Sequence, residues 1–356
     1  MVKILATTSP GIEDLLAIEF NEVFGKNCEH VEVRGNRGRV IAHIKESSWL
    51  WERINTLTLV HRVGVLLSSQ KIRTNIEGLN DIKNAILSSN LIEYITPKST
   101  FAVRAERVGS SHEYTSIDIA RVAGEAIIVL TESYYGSPPK VELDYPEVIV
   151  NVDVIENTLY IYVSLTGDIS LHRRGYRVYD HPAALKPTLA RAMILLSGAQ
   201  DGETILDPMC GSGTIPIEAS FLFENSINMC MDINIKHLTG AKMNAITAGV
   251  LNRIVFINGD SRKIEKYIKD EIDHIITNPP YGIKLGNPRA VKKLYREFLF
   301  SALRVLKNHG RLTIITPEYE YINYVIEHNN LDFKKIEERT VAHGGLYPKI
   351  IVYEKV

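Results

Sequence analysis

Apolar residues recur at two spacings along this chain, and the switches between them lay out its elements. Residues 1–73 read as β-α-β-β-α-β. Lys3 to Thr8 is a strand, and Pro10 falls where a first helical turn tolerates proline, ahead of Ile12, Leu15, Leu16 and Phe20 at helical spacing. His30 to Arg34 and Arg39 to Ile44 are short strands, joined by the hairpin chemistry of Gly35-Asn36-Arg37-Gly38. Ser47 caps a helix carrying Trp49, Leu50, Ile54 and Leu57, and Arg62 to Ile72 is the last strand. This order is that of a small ferredoxin-like α+β unit.

Residues 74–166 read as α-β-α-β-β-β. Asn75 caps a helix through Ile76, Leu79, Ile82, Ala85 and Ile86. Thr100 to Glu106 is a strand, and Ser116 begins a helix through Ile119, Val122, Ala126, Ile127 and Leu130. Lys140 to Leu143, Glu147 to Val154 and Thr158 to Leu165 are strands, with Asn157 suited to the turn between the last two. Residues 167–186 are a joint, and 187–356 alternate strand and helix as in a doubly wound α/β sheet. The final strands, Leu331 to Arg339 and Lys349 to Glu354, form a hairpin that closes that sheet.

Length changes the picture little: 356 residues exceed one ordinary core, so two or three domains are expected. The net charge of −1 neither requires nor excludes a nucleic-acid partner, since basic charge can be confined to one face. No apolar run approaches the roughly twenty residues of a membrane span, and the first residues read as a strand rather than a signal peptide. Cys28, Cys210 and Cys230 are spaced for neither a zinc site nor a disulfide framework, which points to a reducing cytoplasm.

The chemistry lies at strand ends in the last segment. After the strand Asp273 to Thr277 comes Asn278-Pro279-Pro280-Tyr281. Two prolines without N–H groups stop the sheet in a stiff bend that presents carbonyl oxygens and the Asn278 amide, with the Tyr281 ring beside them. Rigid acceptors next to a flat ring suit a planar amine. Upstream, Asp207-Pro208-Met209-Cys210-Gly211-Ser212-Gly213-Thr214 joins a strand to a helix. Such a glycine turn lets a ligand approach bare N–H groups at a helix start. Pro216 replaces the third glycine of the dinucleotide fingerprint, and the Gly-Lys-Ser/Thr of a phosphate loop is missing. Asp232 and Asp260 end the next two strands, followed by Ile233 and Ser261. Asp232 can accept from ribose hydroxyls and Asp260 from an adenine amine; alternatively, each caps the following helix. Four successive strand ends bearing Asp207, Asp232, Asp260 and Asn278 favour one shared ligand site.

These features resemble the THUMP-containing RNA methyltransferases. Asp-Pro-x-x-Gly-x-Gly-Thr is similar to the first motif of S-adenosylmethionine-dependent enzymes, and the Arg174-Gly175-Tyr176-Arg177 segment is similar to one preceding the catalytic domain in that family. The resemblance implies four parts: a ferredoxin-like domain over 1–73, a THUMP domain over 74–166, a linker over 167–186 and a class I Rossmann-like methyltransferase domain over 187–356. It implies S-adenosylmethionine held by Asp207, Pro208, Cys210, Gly211, Gly213, Thr214, Asp232, Ile233, Asp260, Ser261 and Asn278. Asn278 and Pro279 would hold the exocyclic N2 amine of a guanosine, and Tyr281 would stack on the base.

The THUMP domain of that family holds the acceptor end of tRNA, so Arg104, Arg107, His112 and Arg121 become candidate contacts, together with Arg173, Arg174, Arg177 and Lys284. For any one of these a solvated or salt-bridged face is the competing reading. The implied product is N2-methylguanosine at position 6 of the acceptor stem, made by a cytoplasmic monomer. Relatives acting on the D-arm tend to carry Asp in place of the first Asn. Ribosomal RNA guanine, DNA adenine and a non-catalytic RNA-binding role are the alternatives.

Overall fold

The computed structural model describes all residues except 34–36, 46–49, 181–183 and 283–287. The chain forms two compact units: Met1–Thr8 with Glu13–Leu171, and Ser9–Ile12 with His172–Val356. The expected hairpin tip at Gly35 and Asn36, the cap Ser47 with Trp49, and the RNA-contact candidate Lys284 lie outside the described residues.

In the first unit the elements run β1 (Val2–Thr7), α1 (Glu13–Phe24), β2 (Cys28–Val33), β3 (Arg39–Ile44), α2 (Leu50–Ile54), β4 (Arg62–Lys71), α3 (Gly78–Leu87), β5 (Thr100–Val108), α4 (Ser116–Tyr135), β6 (Lys140–Val141), β7 (Val148–Ile155) and β8 (Thr158–Ser164). They build one sheet in the order β2-β3-β1-β4-β8-β7-β5-β6. The join is the antiparallel pair β4–β8, so the two segments read separately from sequence share a continuous hydrogen-bonded sheet. Helix α4 is set by a capping box between Thr115 and Asp118 and ends at Gly136 in the left-handed region, φ 78°. Inside this sheet Arg39 donates to Asp153 at 2.7 and 3.1 Å and to Glu106 at 2.8 Å. Arg39 and Asp153 are both buried, which requires their mutual pairing.

The first helix departs from the periodicity. It begins at Glu13, not at Pro10. Gly11 has φ +100°, and a Cβ there would lie 2.1 Å from the Thr340 carbonyl oxygen. The Pro10 carbonyl accepts from the Ala342 N–H at 3.0 Å. A turn closed by the Ile12 N–H on the Ser9 carbonyl at 3.3 Å, pinned by this non-local pairing, therefore precedes the helix, which the local pattern does not reveal.

The second unit runs α5 (Pro187–Ser197), β9 (Thr204–Asp207), α6 (Thr214–Leu222), β10 (Ile227–Asp232), α7 (Ile235–Thr247), β11 (Ile254–Asn258), β12 (Ile272–Thr277), α8 (Pro288–Val305), β13 (Leu306–Thr316), α9 (Tyr319–His328), β14 (Phe333–Thr340) and β15 (Lys349–Lys355). Its sheet order is β11-β10-β9-β12-β13-β15-β14, with the first five strands parallel and β15 antiparallel to both neighbours. Leu206, Ile275, Leu312, Ile314 and Ile351 of the strands pack with Phe298, Leu299, Ile322 and Val325 of α8 and α9. Helix α5 packs on β12 and β13 and α6 on β9 and β10, and helices on both faces explain the unbroken apolar runs of the central strands. Successive strands leave β9 in opposite directions, so the order reverses between β9 and β12, where ligands bind in such sheets.

Candidate active site

The reversal point carries two different turns. Beyond β9, Gly211 and Gly213 adopt φ +51° and +78°. A Cβ on Gly213 would lie 3.0 Å from the Ala241 Cβ, whereas one on Gly211 would meet nothing within 4 Å. Gly213 is thus fixed by helix packing, and Gly211 by conformation alone, with open space above it. Helix α6 starts at Thr214; its first-turn N–H groups have no acceptors within the helix, and Pro216 has none to offer.

Asp207 ends β9 and turns inward. Its Oδ1 accepts from the Thr277 hydroxyl at 2.8 Å and the Met209 N–H at 3.2 Å. Burial pushes its carboxyl up to about 7, against those two hydrogen bonds, and the charge of Asp232 adds to the rise. Asp232 faces the glycine turn. Its Oδ2 accepts from the Gly211 N–H at 2.9 Å and its Oδ1 from the Asn234 N–H at 2.8 Å. The His237 ring Nδ1 lies 3.5 Å from the same Oδ1, so a diol would share the remaining acceptor sites of this carboxylate with His237. Ile233 beside it is 67% exposed, an apolar plate next to an acidic acceptor.

Asp260 behaves as the capping alternative described. It accepts from the Arg262 N–H at 3.0 Å, and the Arg262 guanidinium grips both oxygens at 2.6 to 3.0 Å. That contact holds its carboxyl below the usual range. Ser261 is buried at the start of the same turn.

Across the β9–β12 boundary the polypeptide bends at Asn278-Pro279-Pro280. Pro279 is buried, Pro280 is exposed, and Asn278 and Tyr281 are half-buried, so the corner opens to solvent. The Tyr281 hydroxyl is buried and meets no hydrogen-bond partner among the described residues. Burial pushes its phenol well above the usual range. The Thr277–Asp207 hydrogen bond ties this corner to the glycine turn.

One expectation is overturned. Cys210 and Cys230 form a disulfide with Cα atoms 5.4 Å apart, and Cys28 is free. The sequence separation of 20 gave no sign of this. The turn after β9 folds back so that the Cys210 N–H donates to the Met231 carbonyl at 3.0 Å, bringing Cys210 over the end of β10. The Cys210 side chain therefore clamps the turn and faces the core rather than a ligand.

Residues the motifs missed do much of the positioning. Asn244, fully buried on α7, accepts from the Tyr179 N–H at 2.8 Å and donates to the carbonyls of Tyr179 and Ser212 at 2.9 and 3.0 Å. Asn258 donates to the carbonyls of Asp232 and Ile233 at 3.0 and 3.1 Å. A helix-interior Asn with an apolar surround is the one signal that could have pointed to Asn244.

The candidate RNA contacts are mostly engaged. In the first unit Arg104 grips Asp168 at 2.5 and 2.7 Å, Arg121 lies 3.2 Å from Glu125, and Arg107 lies 3.4 Å from the His112 ring. In the second, Arg174 donates to the buried Glu218 at 3.3 Å and Arg177 to Asp180 at 2.6 Å, while Arg173 is exposed. Tyr176 also donates to Glu218, at 2.9 Å. The Arg174-Gly175-Tyr176-Arg177 segment is thus in part an internal clamp.

Comparison with known proteins agrees with this architecture. Residues 77–164 match the THUMP domain, and residues 174–349 match the family described as RMKL-like, methyltransferase domain. The chain is 39% identical to a tRNA (guanine(6)-N2)-methyltransferase of Methanocaldococcus jannaschii, over 97% of each. It is 38% identical to one of Archaeoglobus fulgidus, over 99% of this chain and 92% of the other. The crystal structure of TrmN from Thermus thermophilus is similar with a TM-score of 0.80 at 31% identity, covering 100% of both chains. Among the described residues no helix is long and apolar enough to cross a membrane. With its THUMP domain, its doubly wound catalytic sheet and relatives spanning nearly its whole length, the chain belongs to the THUMP-domain family of S-adenosylmethionine-dependent tRNA guanine-N2-methyltransferases.

Proposed function

We propose that this enzyme methylates the N2 amine of guanosine at position 6, in the acceptor stem of tRNA. The observation that carries the chemistry is the pairing of a donor-rich turn at Gly211–Thr214 with an acceptor-rich corner at Asn278–Pro280, tied by the Thr277–Asp207 hydrogen bond. The relatives named above as acting on guanine(6) support the position.

S-adenosylmethionine supplies an electrophilic methyl group on a sulfonium. The N–H groups of Ser212 and Thr214, at the start of α6, would hold its carboxylate, and Asp207 lies where an ammonium relieves a buried carboxylate. Asp232 would take the ribose hydroxyls and Ile233 one face of the adenine. Asp260 and Ser261 would line the adenine edge, with Arg262 as the competitor for the Asp260 oxygens.

The guanine amine is a poor nucleophile because its lone pair is delocalised into the ring. The Asn278 side-chain oxygen and the Pro279 carbonyl would accept its two hydrogens and turn the lone pair toward the methyl carbon. A nitrogen–carbon bond forms as the sulfur–carbon bond breaks, and the nitrogen then loses a proton. Because the methyl group arrives activated, alignment is the main contribution. Tyr281 would stack on the base, which must leave its pair at a cost of roughly a few kcal/mol. Exposed Arg173, and the first unit with Arg104 and Arg121, would offset that cost by gripping the RNA.

The test is methyl transfer to a tRNA transcript, with nucleoside mass spectrometry and mapping. N2-methylguanosine at position 6 is expected. Methylation of a D-arm guanosine instead, or of ribosomal RNA alone, overturns the assignment.

A further inference from the structure

The corner at Asn278–Pro280 has an unusual need. Two consecutive prolines leave it a single N–H, that of Asn278, so it cannot be fixed by donors of its own. It must be held by donors supplied from elsewhere, acting on its carbonyls.

Helix α8 supplies one. Tyr295 is fully buried, and its hydroxyl donates to the Pro280 carbonyl at 3.1 Å. The same oxygen lies 3.0 Å from the Thr316 hydroxyl at the end of β13, and Thr316 Oγ1 accepts from the Glu318 N–H at 3.0 Å. Proton counting sets the direction of the chain. A carbonyl only accepts, so Tyr295 spends its one proton on Pro280 and accepts from Thr316. One turn earlier on the same helix, Val291 closes on Gly282: a Cβ at Gly282, where φ is +74°, would lie 2.7 Å from Val291 Cγ2. Helix α8 therefore meets the bend at its third and fifth residues, leaving Asn278 and Pro279 ahead of the grip.

We propose that Tyr295 is a positioning residue for methyl transfer, anchored by Thr316, whose hydroxyl fixes the Pro280 carbonyl and thereby the aim of the Asn278 and Pro279 acceptors. This rests on reading Asn278–Tyr281 as the amine-holding corner. Burial pushes the Tyr295 phenol above its usual range, so it remains a donor through alkaline assays. Neither Tyr295 nor Thr316 belongs to a recognised motif; only the tertiary contact brings them to the bend.

The experiment compares Tyr295→Phe, Thr316→Val and Asn278→Ala in the full chain. Single-turnover methyl transfer to tRNA is measured at saturating cofactor, alongside cofactor affinity, the KM for tRNA and thermal unfolding. Tyr295→Phe keeps the buried ring and removes one proton donor. It should slow transfer about tenfold, the worth of one hydrogen bond, with cofactor affinity and KM unchanged. Thr316→Val should slow it about threefold through the same link. Combined with Asn278→Ala, Tyr295→Phe should add little further loss, because both act on one acceptor set. A slow Asn278→Ala enzyme beside full-rate Tyr295→Phe and Thr316→Val enzymes overturns the anchoring alone. A full-rate Asn278→Ala enzyme overturns the reading of the corner and the anchoring with it. If Tyr295→Phe fails to fold, the Thr316→Val rate decides.

Discussion

The two turns at the β9–β12 boundary are opposites built at one edge. After β9, glycines open the backbone: the N–H groups of Gly211 and Gly213 brace the turn on Asp232 and the Cys210 carbonyl, and the start of α6 presents the donors. After β12, prolines strip the backbone of donors and leave oxygens, stiffened by fixed φ angles. One turn is suited to an anionic or hydroxyl-bearing ligand, the other to an amine. Their supports differ accordingly. The glycine turn is clamped by its own disulfide and by Asn244. The proline corner is held from α8. A donor surface and an acceptor surface side by side are what transfer between a cofactor and a base amine requires.

Substitutions can separate the two surfaces. The largest effect is expected at the acceptor corner: Asn278→Ala should lower turnover about 10²–10³-fold, as loss of one preorganised polar contact does elsewhere, while calorimetry finds cofactor affinity unchanged. Weakened cofactor binding with intact turnover would break the division of labour.

Next comes Asp207→Asn, read by thermal unfolding against pH. The folded chain holds the Asp207 proton up to about 7, and the unfolded chain releases it near the ordinary carboxylate value. The folded chain therefore carries more protons in that window, and native stability falls as pH rises through it. Asn escapes this penalty. At pH 8 the variant should be more stable than wild type by about 4 kcal/mol, with the gap closing toward pH 4. A gap independent of pH would mean the carboxyl is not strained by burial.

Asp232→Ala removes the acceptor of the Gly211 N–H and, on the present reading, the ribose contact. Cofactor affinity should drop about tenfold. Unaltered affinity would remove Asp232 from the ligand site.

The smallest effect is expected at Tyr281→Phe. Deleting a buried hydroxyl that meets no partner among the described residues should change stability by less than about 0.5 kcal/mol and leave turnover near wild type. Tyr281→Ala, which removes the ring, should cost about 1–3 kcal/mol of base stacking, read as a raised KM for tRNA. Equal losses in both variants would assign the role to the hydroxyl instead of the ring face.

Much of this was legible in the chain. Period and punctuation located the strands of the catalytic sheet, because burial on both faces makes them continuous apolar runs. The positions of Asp207, Asp232 and Asn278 were legible because each ends or follows such a run at a strand's carboxyl end. The charge of Arg174 suggested a nucleic-acid contact; its partner in buried Glu218, 44 positions away, was not legible.

The amino-acid order by itself determined the elements, the donor turn and the acceptor corner, since glycine and proline act through their own backbone. The Cys210–Cys230 disulfide, the pinned turn at Pro10, the Asn244 clamp and the Tyr295–Pro280 contact were decided only by the folded chain. Each joins groups from separate elements. Such partnerships are set by strand order and helix packing, which a local pattern does not encode.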